Sequence, residues 1–541
     1  MRGHRSGPAR SRLGNIPDVK RGRAQGAGRG PSSATILADL KRRLAEIYDL
    51  KAAGAVLGWD EATYMPTGGA LARGRQSALL RRLAHERLID PVLGQALDRL
   101  EPQVAGLPTA DASLIRVVRR DYEKARKVPA EFVARAAAHA SESYNAWIRA
   151  RPENDFTRMI PLLEKTLDLS REYASFFAPS GHIADPMIDD ADEGMTAATV
   201  QRIFAELRRE LVPMARAICD QPPPDDSVLH RSFGEAEQLA FALAVASQMG
   251  FDLERGRIDK THHPFCTKFA AGDVRITTRV RESDIGDALF STWHEAGHAM
   301  YEQGVNPDYE GTPLGRGVSA GVHESQSRLW ENVVARSLPF WEHYYPALQG
   351  AFADQLGSVP LGAFYRAINK VQRSLIRTDA DEVTYNLHIM LRFELEVALL
   401  EERLAVRDLP EAWRAGMLAD LGIAPSDDRD GCLQDVHWYG GRIGGAFQSY
   451  TIGNILSAQF FAAATSAHPQ IPREIAHGRF DTLHGWLAES IYRHGRTRTP
   501  DDIIVGATGR PMTAEPYLAY LRGKYGELYG LAEFKAFVGP P

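Results

Sequence analysis

The chain reads STWHEAGHAM from residue 291 to residue 300, and this stretch contains the pattern His-Glu-x-x-His. Apolar residues recur around it at intervals of three and four, which predicts an amphipathic helix; they are Leu289, Trp293, Ala296 and Met300. Ser283 or Asp284 is expected to cap the start of this helix, and Gly304 is expected to end it. Because residues four apart share a helix face, His294 and His298 are predicted to point the same way.

The two histidines and the glutamate between them predict a catalytic metal site. Two imidazoles on one helix face reach a single ion, and Glu295 beside them is placed to act as a general base toward water on that ion. Each residue alone is more often an ordinary core or surface side chain, so the prediction depends on their combination in one helix. Zn²⁺ is the expected ion, one per chain, and Co²⁺ or Mn²⁺ are alternatives because affinity order alone does not identify a metal.

A third protein ligand is needed, because catalytic zinc usually has three and keeps one position open. Residues 323–332 read HESQSRLWEN and are predicted to form a helix that stops near Pro339. Glu324, at its start, is the expected ligand, and Glu331 is the alternative. Seven Gly and Pro residues between positions 304 and 321 let the chain turn back, so the second helix is expected to cross the first near the metal.

Helical periodicity dominates the chain from Ala34 onward, so the fold class is predicted to be mainly α. Long helix-forming stretches cover residues 110–150, 197–220, 234–250 and 381–406. Residues 273–279 alternate polar with apolar side chains and predict a strand of a small β-sheet beside the His-Glu-x-x-His helix. Residues 34–541 are interpreted as a single helical domain.

Charge is unevenly distributed along the chain. The first 32 residues carry eight Lys and Arg against one acid, Asp18, whereas the whole chain has a net charge of −5. Residues 1–33 are therefore interpreted as a disordered, basic, Gly/Arg-rich tail, either a dispensable extension or a weak contact for an anionic surface. The acidic remainder argues against nucleic-acid binding. Three scattered cysteines and the lack of a long apolar run or a secretory signal predict a cytoplasmic protein without membrane contact.

Seven short motifs follow one another along the chain. They are residues 59–66 (WDEATYMP), 263–265 (HPF), 273–278 (DVRITT), 294–298 (HEAGH), 323–326 (HESQ), 376–381 (IRTDAD) and 431–438 (GCLQDVHW). In this order they resemble the Taq-type, or thermostable, zinc metallocarboxypeptidase family over nearly everything after the tail. The resemblance implies a large helical peptidase domain with a deep active-site groove, a homodimer, and removal of C-terminal residues from peptides with broad specificity and poor tolerance of proline. The family's third metal ligand falls on Glu324.

One loop departs from the family pattern. Where family members read GYFPTY after the His-Trp pair, this chain reads GGAFQSY at residues 444–450, which is one residue longer and lacks the proline. The last tyrosine, Tyr450, is retained. It and His437 are the candidates for stabilising the oxyanion beside the metal, and the alternative for each is a buried, hydrogen-bonded aromatic side chain.

Recognition of a free C-terminus calls for a cation in fixed geometry, which a guanidinium group supplies. Arg377 is the first candidate. The alternative is a local ion pair with the acidic residues that follow it, which are Asp379, Asp381 and Glu382.

The remaining substrate-binding candidates come from three segments: Asp273, Arg275, Thr277, His263, Gln434 and Asp435. The first three lie on the predicted strand, which is expected to pair with an extended peptide by edge addition. His263 is expected in the wall of the site, with a purely structural turn as the alternative. Gln434 and Asp435 are expected to orient imidazoles or carboxylates from behind, or else to act as capping groups.

Two other functions remain open on these grounds. An oligopeptidase or endopeptidase with the same ligand set would use the same chemistry on internal bonds. A catalytically silent helical scaffold with structural zinc, or none, is the other alternative, and the intact Glu295 argues against it.

Overall fold

The structure, a computed structural model, describes residues 32–531 and Phe534. The predicted tail, residues 1–33, lies outside the described residues apart from Ser32 and Ser33. Helix α1 begins at Ser33, and the side chain of Ser32 caps it by accepting a hydrogen bond from the Thr35 amide. In the described part of the chain no helix is long and apolar enough to cross a membrane.

Helices make up most of the described chain, which confirms the predicted fold class. The α-helices are, in chain order, α1 Ser33–Thr63, α2 Ala70–Leu88, α3 Pro91–Leu100, α4 Thr109–Lys127, α5 Ala130–Glu153, α6 Ile160–Ser175, α7 Asp185–Ala191, α8 Ala197–Cys219, α9 Glu235–Met249, α10 Ile285–Gly304, α11 Ala320–Arg328, α12 Leu338–Ala351, α13 Ala353–Leu356, α14 Leu361–Ile368, α15 Tyr385–Leu400, α16 Leu409–Leu421, α17 His437–Gly440, α18 Gln448–Ala467, α19 Ile471–Ile475, α20 Asp481–Ser490, α21 Pro500–Thr508 and α22 Glu515–Leu528.

The predicted helices are present, but proline and capping residues set their ends. The stretch 110–150 is two helices, α4 and α5, because Pro129 excludes its predecessor Val128 from the helical region and starts the next helix. The stretch 381–406 shrinks to α15. Asp381 lies before that helix and accepts hydrogen bonds from the amides of Val383 and Thr384, which holds this segment in a turn.

The helix predicted to run from residue 323 to Pro339 ends earlier. After α11 the chain widens into a π-helical segment, Leu329–Val334, and Pro339 belongs to the first turn of α12. A π-helical turn inside a helix is uncommon and is found mostly at functional sites. Here it carries Glu331, the alternative metal ligand.

Three short strands form the small sheet beside α10. They are β1 Ile258–Lys260, β2 Cys266–Ala270 and β3 Asp273–Thr278, in the order β1-β3-β2, with β1 parallel and β2 antiparallel to β3. The predicted strand is therefore β3, and it is the central strand. The expectation that it pairs with a peptide by edge addition is wrong, because both of its edges are already hydrogen-bonded to neighbouring strands.

Helix α18 joins two large apolar cores. Its Ile455 and Ala458 pack into a core built mainly from α5, α6, α8, α15 and α16, whereas Ile452 and Phe460 pack into a core built from α9, α10, α12 and the sheet. A third, smaller core holds α1 against α3 and α4. Residues of both large cores therefore meet along α18, and the polar groups described next lie at that boundary.

Candidate metal centre and substrate cleft

Three side chains of types that bind metals converge where α10 crosses α11; they are His294, His298 and Glu324. His298 Nε2 lies 3.4 Å and His294 Nε2 lies 3.9 Å from the same oxygen, Glu324 Oε2. One ligand atom from each of the three residues lies within 4.8 Å of the other two. In residues 32–531 no other group of three or more His, Cys, Asp or Glu side chains brings its ligand atoms this close together. The sequence placed two of these residues on one helix and one on the next, and the structure brings them together.

Two glycines allow the helices to approach this closely. A Cβ atom on Gly297 of α10 would lie 2.6 Å from the carbonyl oxygen of Gln326, so α10 and the end of α11 touch backbone to backbone. A Cβ atom on Gly453 of α18 would lie 2.4 Å from Cγ of Glu324. The Glu324 side chain is thus pressed between α18 and the histidine pair, which fixes where its carboxylate lies.

Glu331 holds His294 from behind. Its Oε2 lies 2.8 Å from His294 Nδ1, so the ring directs Nε2 toward Glu324. Arg328 joins the two carboxylates, since its Nε donates to Glu324 Oε1 at 2.8 Å and its Nη1 to Glu331 Oε2 at 3.3 Å. The geometry favours Glu324 over Glu331 as the ligand, because Glu331 meets the back of one imidazole and Glu324 faces both.

A separate chain of side chains holds His298. Its Nδ1 lies 2.6 Å from His323 Nδ1, and His323 Nε2 lies 3.0 Å from Glu302 Oε1. The other Glu302 oxygen lies 3.2 Å from Lys268 Nζ. One proton arrangement satisfies every pair: His323 donates from Nε2 to the carboxylate and accepts at Nδ1 from His298, which leaves the Nε2 lone pair of His298 free toward Glu324.

The electrostatics suit a cation. Burial alone would raise the pKa of Glu324, but Arg328 and His294 hold it well below its ordinary value. Burial lowers the pKa of His298 to about 4, so this imidazole is neutral at neutral pH and can donate a lone pair. Two anionic carboxylates, Glu324 and Glu331, face one guanidinium group, and the excess negative charge raises the pKa of His294 despite its burial. The donor set therefore fits a divalent metal ion, which would take the place of the proton on His294.

Glu295 is buried beside these ligands and has no hydrogen-bond partner within residues 32–531. Burial raises the pKa of its carboxyl group to about 7, and the nearby Glu324 adds to the shift. A carboxyl group with this pKa exchanges a proton readily near neutral pH.

A second polar cluster is centred on Asp435. Its carboxylate accepts from Arg377 Nε at 2.6 Å and from Arg392 Nε at 2.8 Å, and it also pairs with Nδ1 of His437 at 2.5 Å. Gln434 accepts from the Arg377 amide and from Arg392. Arg377 therefore pairs with a residue 58 positions away, and within the described chain it makes no ion pair with the acids that follow it in sequence. Two guanidinium groups share one carboxylate, so the cluster keeps an excess positive charge.

Tyrosines connect the two clusters. Arg377 Nη1 donates a hydrogen bond to the hydroxyl of Tyr385 at 3.2 Å. The guanidinium group of Arg328 lies over the ring of the same tyrosine, 4.7 Å from its centroid. Tyr450, in the first turn of α18, places its hydroxyl 3.3 Å from His437 Nε2. The charge of Glu324 contributes to its raised pKa, after burial and Tyr385. Despite its atypical sequence, the loop 444–450 thus places Tyr450 between the carboxylates of Glu324 and Glu331 and the arginine-rich cluster around Asp435.

The residues of the strand segment have different surroundings. Asp273 and Arg275 pair with each other at 2.7 Å, and Arg275 lies over the ring of Trp59. Thr277 is buried and exchanges hydrogen bonds with the backbone of Phe265, which closes the loop that carries His263. The pKa of His263 is lowered by desolvation and then by the charges of His437 and Arg377. His263 therefore lies within reach of the charges of the arginine-rich cluster, whereas Asp273 and Arg275 contact neither cluster.

Sequence reasoning missed four residues that hold the ligands or the arginines in place: Arg328, His323, Glu302 and Arg392. Arg328 had a detectable signal, because positions 324, 328 and 331 share one helix face. Glu302 and His323 lie on different helices, and Arg392 is fully buried in α15, so no local pattern indicates their partners.

Comparisons with known proteins identify the family of this chain. A family model described as carboxypeptidase Taq (M32) metallopeptidase matches residues 39–525. Thermostable carboxypeptidase 1 of Thermus thermophilus is 43% identical over 91% of this chain and 98% of its own length, and carboxypeptidase 1 of Bacillus subtilis is 33% identical over 91% and 97%. The crystal structure of an M32 carboxypeptidase from Deinococcus radiodurans R1 superimposes with a TM-score of 0.90 at 53% identity, over 92% of this chain and all of the other.

Proposed function

The chain belongs to the carboxypeptidase Taq (M32) metallopeptidase family and is a metallocarboxypeptidase, and from that premise we propose that it is a zinc enzyme whose ion is held by His294, His298 and Glu324. The observation that carries the proposal is the convergence of both Nε2 atoms on one carboxylate oxygen. Two imidazoles and one carboxylate are a typical ligand set of catalytic zinc in peptidases. Zinc bound there would supply Lewis acidity, which lowers the pKa of water and polarises a peptide carbonyl.

Glu295 is proposed as the general base. Its carboxylate would accept a proton from the attacking water and then deliver that proton to the nitrogen of the leaving amino acid. Two features support this role: a pKa raised to about 7 by burial, and a carboxylate that no described neighbour engages by a hydrogen bond.

Arg377 is proposed to bind the α-carboxylate at the C-terminus of the substrate. Asp435 fixes one edge of its guanidinium group, and the excess positive charge of the cluster attracts an anion. His437, a member of this cluster, and Tyr450, whose hydroxyl lies 3.3 Å from His437 Nε2, are proposed to donate hydrogen bonds to the oxyanion that forms at the scissile carbonyl. Asp435 would fix the orientation of the His437 ring through Nδ1, and Gln434 would hold the backbone of Arg377.

We further propose broad specificity, because these groups address the backbone and carboxylate of the substrate more than its side chains. Proline at the C-terminal position is expected to be a poor substrate, since it lacks the N–H group and has a fixed φ. A homodimer is proposed from the family resemblance, and light scattering of the purified protein tests it.

The direct test uses two matched peptide ladders, one with free C-termini and one with C-terminal amides, followed by mass spectrometry with and without a chelator. We expect stepwise loss from the free C-terminus, no cleavage of the amides, and loss of activity on chelation that zinc restores. Internal cleavage of the amides would identify an endopeptidase instead. Activity that survives removal of metal, verified by elemental analysis, would contradict the metal assignment.

A further inference from the structure

Two cations beside the metal centre have no ion-pair partner among the residues that the structure describes. They are Lys51 on α1 and Arg316 in the loop before α11, and both side chains are exposed. Both line a cavity of about 270 Å³ between α1, α4 and the loop at residues 312–316. Arg316 also lines an adjoining cavity of about 450 Å³. An unpaired cation in a concave site is a ready partner for an anion.

The other cations of these two cavities are neutralised inside the protein. Arg496 pairs with both oxygens of Asp121 at 2.9 Å, and Lys268 pairs with Glu302 at 3.2 Å. Arg120 and Lys124 on α4 pair with Asp189. The smaller cavity is lined by three cations, Lys51, Lys268 and Arg316, against two carboxylates, Asp121 and Glu302, and so keeps an excess positive charge.

The larger cavity lies behind the candidate ligand His298, on the side of its Nδ1 atom. His323, which contacts that ligand, and Glu302 both line the larger cavity. The amide of Gly317, next to Arg316 in the chain, donates to Glu302 Oε1 at 3.0 Å. Arg377 lies on the opposite side, next to Tyr385 and Arg328. A peptide whose C-terminus is at Arg377 and whose scissile bond is at the metal would thus extend its N-terminal part toward Arg316.

We propose that Lys51 and Arg316 form a subsite that binds an acidic side chain of the peptide substrate, in a residue N-terminal to the scissile bond. This subsite rests on the proposed function, because the peptide's direction follows from the assigned role of Arg377. Desolvation and the neighbouring charge of Arg316 lower the pKa of Lys51, and a bound carboxylate would offset both effects.

The experiment compares N-acetylated peptides that end in the same residue and carry either Glu or its neutral isostere Gln at one position. Glu or Gln is placed, in separate peptides, at each of the four positions that precede the scissile bond. For the wild-type enzyme we expect kcat/KM for the Glu peptide to exceed that for the Gln peptide by about 10-fold at one position, as one charge-assisted hydrogen bond provides. Because the result is a ratio on one enzyme, differences in the amount of folded protein cancel.

Variants then assign the effect to these two residues. In Lys51→Met and Arg316→Met the ratio is expected to fall to about 3-fold or less, whereas Arg209→Met, which removes an exposed cation on α8, should leave it unchanged. In Lys51→Glu the preference should turn toward a peptide with Lys at the same position. Equal turnover of Glu and Gln peptides by the wild type at every position would overturn the proposal, as would a preference that persists in both Met variants. Failure to cleave any of the peptides would instead refute the proposed function.

Discussion

Replacing Gly453 with alanine tests whether α18 sets the position of Glu324, the proposed third metal ligand. The added Cβ would lie 2.4 Å from Cγ and 2.6 Å from Cβ of Glu324, and 3.0 Å from its carbonyl carbon, whereas ordinary contacts begin at 3.4 Å. Glu324 or α18 must therefore move by about 1 Å, while metal–ligand distances tolerate only about 0.2 Å. We expect metal affinity to fall by about 10- to 100-fold and the free energy of unfolding to fall by about 1–3 kcal/mol.

The assay is a competition titration against a metal-binding dye, with thermal unfolding measured on the metal-free protein. Gly523→Ala in α22 is the matched control, because no atom lies within 4 Å of the position that its Cβ would occupy and the backbone there is helical. That control should bind metal like the wild type and gain about 0.5–1 kcal/mol of stability. If Gly453→Ala bound metal as tightly as the control does, the role of α18 in positioning Glu324 would be refuted.

The buried carboxylates lead to three further predictions. Glu295→Gln should retain the metal, by elemental analysis, yet lose about 10²- to 10⁴-fold in kcat; turnover close to wild type would remove its role as general base. Glu331→Gln should weaken metal binding by about 10- to 100-fold by releasing His294, and an unchanged affinity in the dye titration would refute that support. Burial raises the pKa of Glu396 to about 8, from 4.5, so the native state holds this proton over that range and the unfolded state does not. The free energy of unfolding of the wild type should therefore fall as pH rises toward 8. In denaturant titrations the free energy of unfolding of Glu396→Gln, minus that of the wild type, should increase by up to about 3 kcal/mol between pH 6 and pH 8. A difference between the two proteins that stays constant from pH 6 to pH 8 would contradict the raised pKa of Glu396.

Local patterns predicted the helices and the convergence of the candidate metal ligands. The spacing of His294 and His298 fixes their common face on any helix, and the Gly/Pro-rich loop after them requires the chain to return. Proline and capping residues decided where helices end, as at Pro129, and those ends were predicted less well.

What the sequence did not predict depends on contacts between distant segments. Arg377 was expected to pair with nearby acids if it paired at all, yet its partner is Asp435, which Arg392 shares from inside α15. Strand β3 has the alternating pattern of a half-buried strand wherever it lies in a sheet, so its central position could be learned only from the pairing of β1 and β2. Similarly, Glu302 and His323 support His298 only because two helices cross there.

Anomalous diffraction at the zinc edge, from crystals of the zinc-loaded protein, is the most direct test of the proposed metal site. We expect one strong peak per chain, about 2.0–2.2 Å from His294 Nε2, His298 Nε2 and an oxygen of Glu324. A peak bound by other residues, or a Glu324 carboxylate turned away from a zinc ion that both histidines hold, would contradict the assignment.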